Sequence, residues 1–309
     1  PAAINENNVV VGSRLTGISG GRVSWRWSPD NGLETLEVPW GTDDEATDVN
    51  DAGSIVGIYE DSNQQQAYLW DGSSYIALGV LPGHDKAQPH GINNNNVITG
   101  VSVDLSPFGA QPFLWEDGTM IGLGDEVGGG FTSEAADIND HMHITGWRID
   151  KQFTNKKAFF YNGKNHVDIG SSPGEFPRFG TALNDSDEVI GGMLIEDANG
   201  KEVRRSWYVA TPTSDPIDMG VLPGFEGNVE QDINDRGVAT GYSRLGPNER
   251  QPWVWIEGEM YDLANLLVEY TNIEFLLHAY AINNAGHIAL NGVVDGDPAL
   301  VVLSPVDPP

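Results

Sequence analysis

The sequence predicts an all-β fold, a seven-bladed β-propeller of four-stranded antiparallel blades. The first observation is a repeat: an Asn followed by a short β-branched run recurs at intervals of 43 to 50 residues. Repeats of this length that contain several short strands are typical of propeller blades. The second observation is that no linker interrupts the period, so we interpret residues 1–309 as one domain of seven repeats. The repeated Asn occupies Asn5, Asn50, Asn93, Asn139, Asn184, Asn234 and Asn283.

Each repeat offers four segments with the composition of short strands. The first leads into the Asn, and the second is the β-branched run after it, such as Ser54 to Gly57. The third ends at Trp27, Trp70, Trp115, Tyr161, Val209, Trp255 and Val302, and the fourth near Leu36, Gly79, Gly124, Gly170, Gly220 and Ala264. Six fourth strands for seven repeats predict a three-stranded closing blade, unless residues before Pro1 supply an outer strand. Six blades is the alternative.

The turn between the first two strands has a residue pattern of its own. Counting the Asn as the first loop residue, the fourth is expected to be left-handed, a conformation that Gly, Asn and Asp adopt most readily. Met142 is the one departure from this rule. The Asn itself is expected to hydrogen-bond the backbone two residues on. The fourth loop residues are Asn8, Gly53, Asn96, Met142, Asp187, Gly237 and Gly286.

A Gly recurs seven residues after each Asn. Gly inside a strand weakens it unless another group must come close, so we expect an aromatic ring of the neighbouring strand to cover each one. The seventh repeat has Leu290 at this position, which predicts a differently packed closing blade. The six glycines are Gly12, Gly57, Gly100, Gly146, Gly191 and Gly241.

Composition excludes several classes of function. The net charge of −29 repels phosphate backbones, so we expect no nucleic-acid partner. No apolar run is long enough for a membrane span, so we expect no membrane insertion. Because Cys is absent, disulfides and Cys-ligated metals are excluded. The chain begins at Pro1 without a basic leader, so we expect that a signal peptide is either already removed or not included in this chain. A monomer is expected.

The connections from the fourth strand to the next first strand are the long, variable ones, and they predict the ligand-binding face. An aromatic ring offers a rigid apolar surface, which suits a glycan or another polar small molecule. The alternative is that each ring fills the gap between two blades. The residues predicted to bind ligand are Trp40, Asp43, His84, Phe131, Arg178 and Phe225.

Catalytic residues cannot be assigned from a motif, because neither a Ser-nucleophile nor a phosphate-binding motif is present. Loop histidines and carboxylates are the candidates for acid and base chemistry: His84, His90, Glu134 and His278. Each is equally compatible with an ordinary exposed or hydrogen-bonded side chain. We expect no cofactor, with Ca²⁺ as the alternative because carboxylates are its usual ligands.

The residues of the repeat also point to a family. An Ile-Asn, an Asp or Asn, a β run ending in Gly, a block like Ala67 to Trp70 and a Leu-Gly together resemble the HAF-repeat family of bacterial extracellular proteins. The resemblance implies a secreted β-propeller, extracellular or periplasmic, and no catalytic residues. The His that gives the family its label is replaced here by Gln66, Gln111, Lys157, Arg205, Gln251 and Asp297.

Three classes of function stay open, because fold does not choose among them. The first is a binding or scaffold module for a carbohydrate or other polar ligand, which the variable loops favour; on this interpretation the chain is not an enzyme. The second is a polysaccharide lyase or glycoside hydrolase that uses the loop His and carboxylate groups. The third is a structural cell-surface or matrix protein.

Overall fold

The chain folds as the seven-bladed β-propeller that the repeat predicts, with six four-stranded antiparallel sheets and a three-stranded last sheet. This computed structural model describes residues 1–16, 20–41, 43–62, 64–105, 109–124, 132–150, 156–170, 177–196, 200–246, 249–268 and 272–306. Apart from a 3₁₀ helix at Leu263–Leu266, these residues form strands, turns and loops. The predicted three-stranded closing blade is confirmed, and six blades is excluded.

The strands follow one another in chain order within each blade. Blade 1 contains β1 to β4, blade 2 β5 to β8, and so on to blade 7, which contains β25 to β27. Their bounds are Ala3–Ile4, Val10–Thr16, Gly21–Ser28, Gly32–Thr35; Asp44–Val49, Ile55–Asp61, Gln64–Trp70, Tyr75–Ala77; Lys86–Ile92, Ile98–Asp104, Gly109–Glu116, Thr119–Gly122; Thr132–Ile138, Ile144–Ile149, Lys156–Tyr161, His166–Asp168; Pro177–Leu183, Val189–Glu196, Glu202–Val209, Ile217–Asp218; Gly227–Ile233, Ala239–Leu245, Glu249–Ile256, Glu259–Asp262; Ile273–Ile282, Ile288–Val294 and Asp297–Leu303.

Two compact units divide the chain. The first is Ala2–Val167, and the second is Asp168–Pro309 together with Pro1. The first unit holds blades 1 to 3 and nearly all of blade 4. The second holds blades 5 to 7, and the boundary falls within β16.

The predicted turn conformation is confirmed in every repeat. All seven fourth loop residues have positive φ, from 58° at Asn8 to 86° at Gly286. Met142, the departure in sequence, has φ 59° like the others. The left-handed conformation at Met142 is therefore imposed by the surrounding turn, because a Met side chain does not favour it.

A covering ring is confirmed at Gly57, Gly191 and Gly241, and the strand register identifies it. At Gly100 and Gly146 the nearest atoms are main-chain atoms of the first strand. Gly57 pairs with Tyr68, whose hydroxyl lies 2.6 Å from where a Cβ on Gly57 would stand. Gly241 pairs with Trp253 in the same way, at 2.6 Å. The ring comes from the residue two positions before the end of the third segment. In blade 7 this pair becomes Leu290 and Val301, so the predicted difference in packing is present.

The repeated Asn bonds each blade to the next within a unit. Its Oδ1 accepts hydrogen bonds from the backbone two and four residues on, as Asn93 does from Asn95 and Val97. Its Nδ2 donates to the main-chain carbonyl of the next repeated Asn, from Asn93 to Asn139 at 3.1 Å. The same bond is formed by Asn5, Asn50, Asn184 and Asn234 at 2.8 to 3.0 Å.

A β-bulge interrupts the first strand of each blade from 2 to 7, three residues before the Asn. The register skips one residue there, for example Thr47 between Ala46 and Asp48. A bulge re-aims side chains, and Thr47 uses this to donate to the carbonyl of Pro89 in the next blade. The skipped residues are Thr47, His90, Ala136, Thr181, Gln231 and Tyr280.

The core lies between neighbouring blades. One cluster of buried side chains joins blades 2 and 3 and includes Leu78, Phe113 and Trp115. Another joins blades 6 and 7 and includes Leu263 and Leu290. A buried residue follows each fourth strand: Leu36, Leu78, Leu123, Ile169, Met219 and Leu263. Because blade 7 has no fourth strand, it has no residue of this kind.

One sequence assignment needs correction. The third segment of the last repeat was expected to end at Val302, in the position of the large residues. The pairing of β26 with β27 places Leu303 opposite Ile288, just as Trp115 stands opposite Ile98 and Trp255 opposite Ala239. Leu303 is therefore the equivalent residue. Without a large ring in the sequence, the register could not be fixed to better than one residue.

Candidate functional site

Three of the six residues predicted to bind ligand make contacts within the protein that hold the blades together. The Trp40 ring lies 5.4 Å from that of Tyr59, and Phe225 packs against the core between blades 5 and 6. Asp43 accepts a hydrogen bond from the backbone of Arg22 at 2.8 Å. These contacts support the alternative that these residues stabilise the blades. Phe131 lies outside the described residues.

Arg178 is the exception to this pattern. It is 42% exposed, and its guanidinium lies 3.9 Å from the carboxylate of Glu202. An exposed pair at this separation contributes little to stability. Binding of ligand by Arg178 stays a prediction.

Of the catalytic candidates, the structure brings together His90 and Glu134. His90 occupies the bulge of β9, and its Nδ1 lies 2.7 Å from the Ala135 carbonyl and 3.7 Å from a Glu134 oxygen. This carbonyl is equivalent to the one that Thr47 binds from blade 2. Thr47 and His90 occupy equivalent bulges, and each bonds the equivalent carbonyl of the next blade. Because a Thr serves in one blade gap as well as a His does in another, we assign the His90 bond to the connection between two blades. His84 donates its backbone N–H to Leu81 in a turn, 3.0 Å away.

His278 lies in a different setting, in the gap between blades 6 and 7. The Tyr242 ring meets it edge-on with centroids 4.5 Å apart, and the Tyr280 ring at 5.6 Å. Arg250 reaches the His278 Nε2 and also lies 5.4 Å from the Tyr242 ring centre. Asn291 completes this group. We call Tyr242, Arg250, His278, Tyr280 and Asn291 the blade 6–7 cluster.

Hydrogen bonds fix the protonation of His278. The Asn291 Oδ1 accepts from the His278 backbone N–H at 3.0 Å and lies 3.2 Å from Nδ1. The amide oxygen cannot donate, so Nδ1 carries the proton and Nε2 presents a lone pair. Burial, and then the charge of Arg250, lower the pKa of His278 below its usual value. His278 is therefore neutral near pH 7. Burial raises the pKa of the Tyr280 hydroxyl, which stays protonated.

Three blade gaps show what usually faces the arginine at this position of the third strand. Arg22, Arg204 and Arg250 occupy the same position of the repeat. Each lies five residues before the residue that ends the third segment, which is Trp27, Val209 or Trp255. Arg22 pairs with the carboxylate of Glu45. Arg204 pairs with Glu230, a fully buried carboxylate, at 2.6 Å.

Arg250 faces His278, which occupies the position equivalent to Glu45, five residues before the repeated Asn. Within the described residues Arg250 forms no ion pair. The cross-strand partner of Arg250 is also an arginine, Arg244. Like charges opposite one another destabilise a ladder. The blade 6–7 cluster is thus a positive site in an acidic protein. The carboxylate of a bound ligand could pair with Arg250 as protein carboxylates pair with Arg22 and Arg204.

Glu230 shows the opposite case, a carboxylate that is fully satisfied. Thr181 donates to its Oε1 at 2.7 Å, Ser206 to its Oε2 at 2.8 Å, and Arg204 completes the pairing. Three donors satisfy this buried carboxylate within the protein, and none of its oxygens is exposed to solvent. We assign this group to the structure of the blade 5–6 gap.

Sequence reasoning found His278 but missed its neighbours. Tyr242 and Arg250 lie on other strands, far away in sequence, and nothing local connects them to His278. One signal was accessible: with the repeats aligned on the Asn, His278 replaces the Glu of an earlier copy.

Among the described residues no group of three His, Asp or Glu side chains is placed to hold a metal ion. The part of the chain that the structure describes contains no helix long and apolar enough to span a membrane.

Comparison with known proteins finds relatives by structure only. No protein-family model matches the chain, and no curated protein matches it. The β-propeller domain of the Trilobed protease from Pyrococcus furiosus is similar with TM-score 0.58 and 13% identity, over 84% of this chain and 82% of that one. The likeness is one of fold.

Two further structures agree with this. An acylaminoacyl peptidase bound to a chloromethyl ketone has TM-score 0.58 and 10% identity, over 94% of this chain and 49% of its own. TolB from Acinetobacter baumannii has TM-score 0.53 and 11% identity, over 81% of this chain and 62% of its own. This chain therefore spans about half of the peptidase and less than two thirds of TolB. Identities this low carry no activity across to this chain.

Proposed function

We propose that this protein is a secreted binding module for a carboxylated carbohydrate, held at the blade 6–7 cluster. The observation that carries the proposal is Arg250, which meets a neutral His278 where equivalent arginines meet a carboxylate. A guanidinium binds a carboxylate through two parallel hydrogen bonds. Tyr242 and Tyr280 add ring faces of the kind that sugars pack against. The extracellular location belongs to this proposal and follows the HAF-repeat resemblance.

The overall negative charge opposes an anionic ligand, but only at long range. The Debye length is about 8 Å at physiological ionic strength, so distant carboxylates are screened while contacts within the cluster are not. Arg250 can therefore hold an anion at close range that the rest of the surface repels. Binding is expected to improve as salt rises from very low concentration and to weaken again once the local contacts are screened.

The test compares two oligosaccharides that differ in one group. A uronic-acid tetrasaccharide and its neutral hexose counterpart are titrated into the protein by calorimetry. We expect saturable binding of the acidic sugar alone, and about tenfold weaker binding to R250Q, since tenfold corresponds to about 1.4 kcal/mol. R14Q, in which an arginine of blade 1 is changed, is the matched control and should bind like wild type. Equal binding to R250Q and wild type would exclude the proposed site.

A second function is favoured by the protonation states of the cluster. In this reaction the Arg250 guanidinium turns from the His278 Nε2 to the sugar carboxylate. The freed Nε2 of the neutral imidazole then accepts the proton of the ring carbon that carries this carboxylate. The C–O bond on the next carbon then breaks, a C=C bond forms, and the Tyr280 hydroxyl protonates the departing oxygen. This is the elimination of a polysaccharide lyase. New unsaturated ends, followed by ultraviolet absorbance during the same titration, would show turnover, and H278Q should abolish it while retaining binding.

A further inference from the structure

Within the described residues, blade 7 ends in an unpaired strand edge that is longer than the outer strand of any other blade. The outer strands of blades 1 to 6 are two to four residues long, from Ile217–Asp218 to Glu259–Asp262. The outermost strand of blade 7 is β27, Asp297–Leu303, with seven residues paired on one side to β26. A long edge without charges in its centre is a template for another strand. Between Asp297 and Leu303, β27 carries no charged residue.

The edge borders an apolar groove of about 680 Å³ between blades 6 and 7. The groove has a cause in the sequence: Leu303 stands where other blades place a large ring such as Trp115 or Trp255. In the described structure, the third strand of each of blades 1 to 6 contains at least one buried residue, and β27, the third strand of blade 7, contains none. Side chains lining the groove include Ile256, Leu266, Val268, Val301, Leu303 and Val306.

The other blades show what fits beside a third strand. In blade 3 the fourth strand runs antiparallel to the third, and Met120 pairs with Trp115 and packs toward blade 2. Three residues later, Leu123 donates its N–H to the carbonyl of Pro112 at 2.8 Å. Blades 2 and 6 repeat this spacing with Tyr75 and Leu78 and with Met260 and Leu263.

Transferring this register to blade 7 defines the missing partners. The equivalent of Trp115 is Leu303, and the equivalent of Pro112 is Leu300. The outward hydrogen-bonding groups of β27 are then those of Leu300 and Val302, because alternate residues of a strand bond the same neighbour. A side chain paired with Leu303 would enter the groove, as Met120 and Met260 enter the cores of their blade gaps.

We propose that the edge of β27 and its groove bind an extended segment of a partner protein as an added antiparallel strand. The segment carries a large apolar residue opposite Leu303 and a Leu, Ile or Met three residues later, bonded to the Leu300 carbonyl. Main-chain hydrogen bonds supply affinity and the groove supplies selectivity, as in other cases of strand addition. Because Leu303 is smaller than the ring it replaces, the groove selects an aromatic residue over Met.

The probe is a fluorescent peptide with the sequence of residues 117–124 of this chain, whose fourth strand supplies the pattern. Its anisotropy is followed as the full chain is added. We expect saturable binding, and about tenfold tighter binding when Trp replaces Met in the peptide, since a buried ring adds more than a kilocalorie. A peptide with Asp in place of Met is the control and should not bind.

Two protein variants test the site itself. L303D places a carboxylate in the apolar groove, and V302P removes an outward N–H without breaking the β26–β27 ladder, because Pro is tolerated at an edge. Each should weaken binding of the parent peptide about tenfold or more. Their folding is checked by circular dichroism, and hydrogen exchange shows where the peptide lies. Protection of Leu300 and Val302 supports the proposal. Unchanged binding by both variants, protection on another blade, or no saturable binding by any peptide would overturn it.

Discussion

The repeated Asn shows how one side chain can specify both a turn and a neighbour. Its oxygen satisfies two N–H groups of its own loop, and its nitrogen satisfies a carbonyl of the next blade, as Asn93 does for Asn139. Removing it would leave these groups without partners in a site that excludes water. The sequence revealed the first role, because the turn is local. The second was hidden, since the bonded carbonyl lies 46 residues away.

N93A is expected to destabilise the protein by about 2–3 kcal/mol, because a buried group without a partner costs about 1–3 kcal/mol. The measurement is urea unfolding with both midpoint and slope recorded. N162A is the matched control: Asn162 caps its turn through Lys164 and Asn165, is exposed, and forms no bond to another blade in the described structure. A loss of stability in N162A as large as that in N93A would show that the bond between blades contributes nothing.

His278 permits a prediction about pH. Its folded-state pKa lies below the usual value of about 6.5. The unfolded chain therefore binds more protons between these two values, and stability falls as the pH drops through that range. We expect the proton NMR titration of His278 to have a midpoint below 6.5. R250Q removes one of the two causes and should move the midpoint upward, while R14Q should leave it unchanged. A midpoint unaffected by R250Q would contradict the close contact.

At the scale of the strand, the sequence predicts which strands exist and in what order better than it predicts which residues pair across them. A glycine in the second strand of blades 1 to 6 and a ring that covers it are expected from the sequence, and Gly57 with Tyr68 is one confirmed case. The bulges were not expected, because a bulge leaves no fixed residue type: Thr47, Ala136 and Tyr280 occupy the same position. The last strand was assigned one residue short, at Val302, because Leu303 does not stand out among Val and Leu neighbours.

Two adjacent glycines of β18 differ in how closely other atoms approach them, so a comparison of their Ala variants tests whether steric contact requires the glycine. A Cβ on Gly191 would overlap the Phe179 carbonyl and stand 2.8 Å from the Trp207 Cε2. The three atoms nearest to a Cβ on Gly192 all belong to the Arg204 guanidinium, the end of a flexible side chain. We expect G191A to cost about 3 kcal/mol or more, as overpacking at rigid atoms does, and G192A clearly less. Thermal unfolding of the two variants provides the comparison, and equal losses would show that Trp207 yields as easily as Arg204.

At the scale of the whole molecule, the seven repeats and the three-stranded last blade were readable from spacing alone. The blade 6–7 cluster was readable only in part: His278 was a candidate, while Arg250 and Tyr242 come from strands that the chain joins to it only in space. Long-range pairing is what a single sequence conveys least well. A position aligned across repeats, where Glu45 becomes His278, carries more information than any local motif here.

The net charge of −29 also belongs to this scale. Self-repulsion of a compact chain is relieved by salt, so the melting temperature should rise between about 20 mM and about 300 mM NaCl, over which the Debye length shortens severalfold. KCl should have the same effect as NaCl if screening is the cause. CaCl₂ at matched ionic strength tests for a specific site, because an additional rise would mean that Ca²⁺ binds the folded state.

The bond from one Asn to the next has a consequence for how such a chain changes over time. The donor is a side chain, but the acceptor is a main-chain carbonyl, which every residue type provides. A repeat can therefore be exchanged for another, or the chain between two of them can lengthen from 43 to 50 residues, without loss of the connection. Loops are thus free to diversify while the turns stay uniform, and new binding surfaces can arise without a new scaffold.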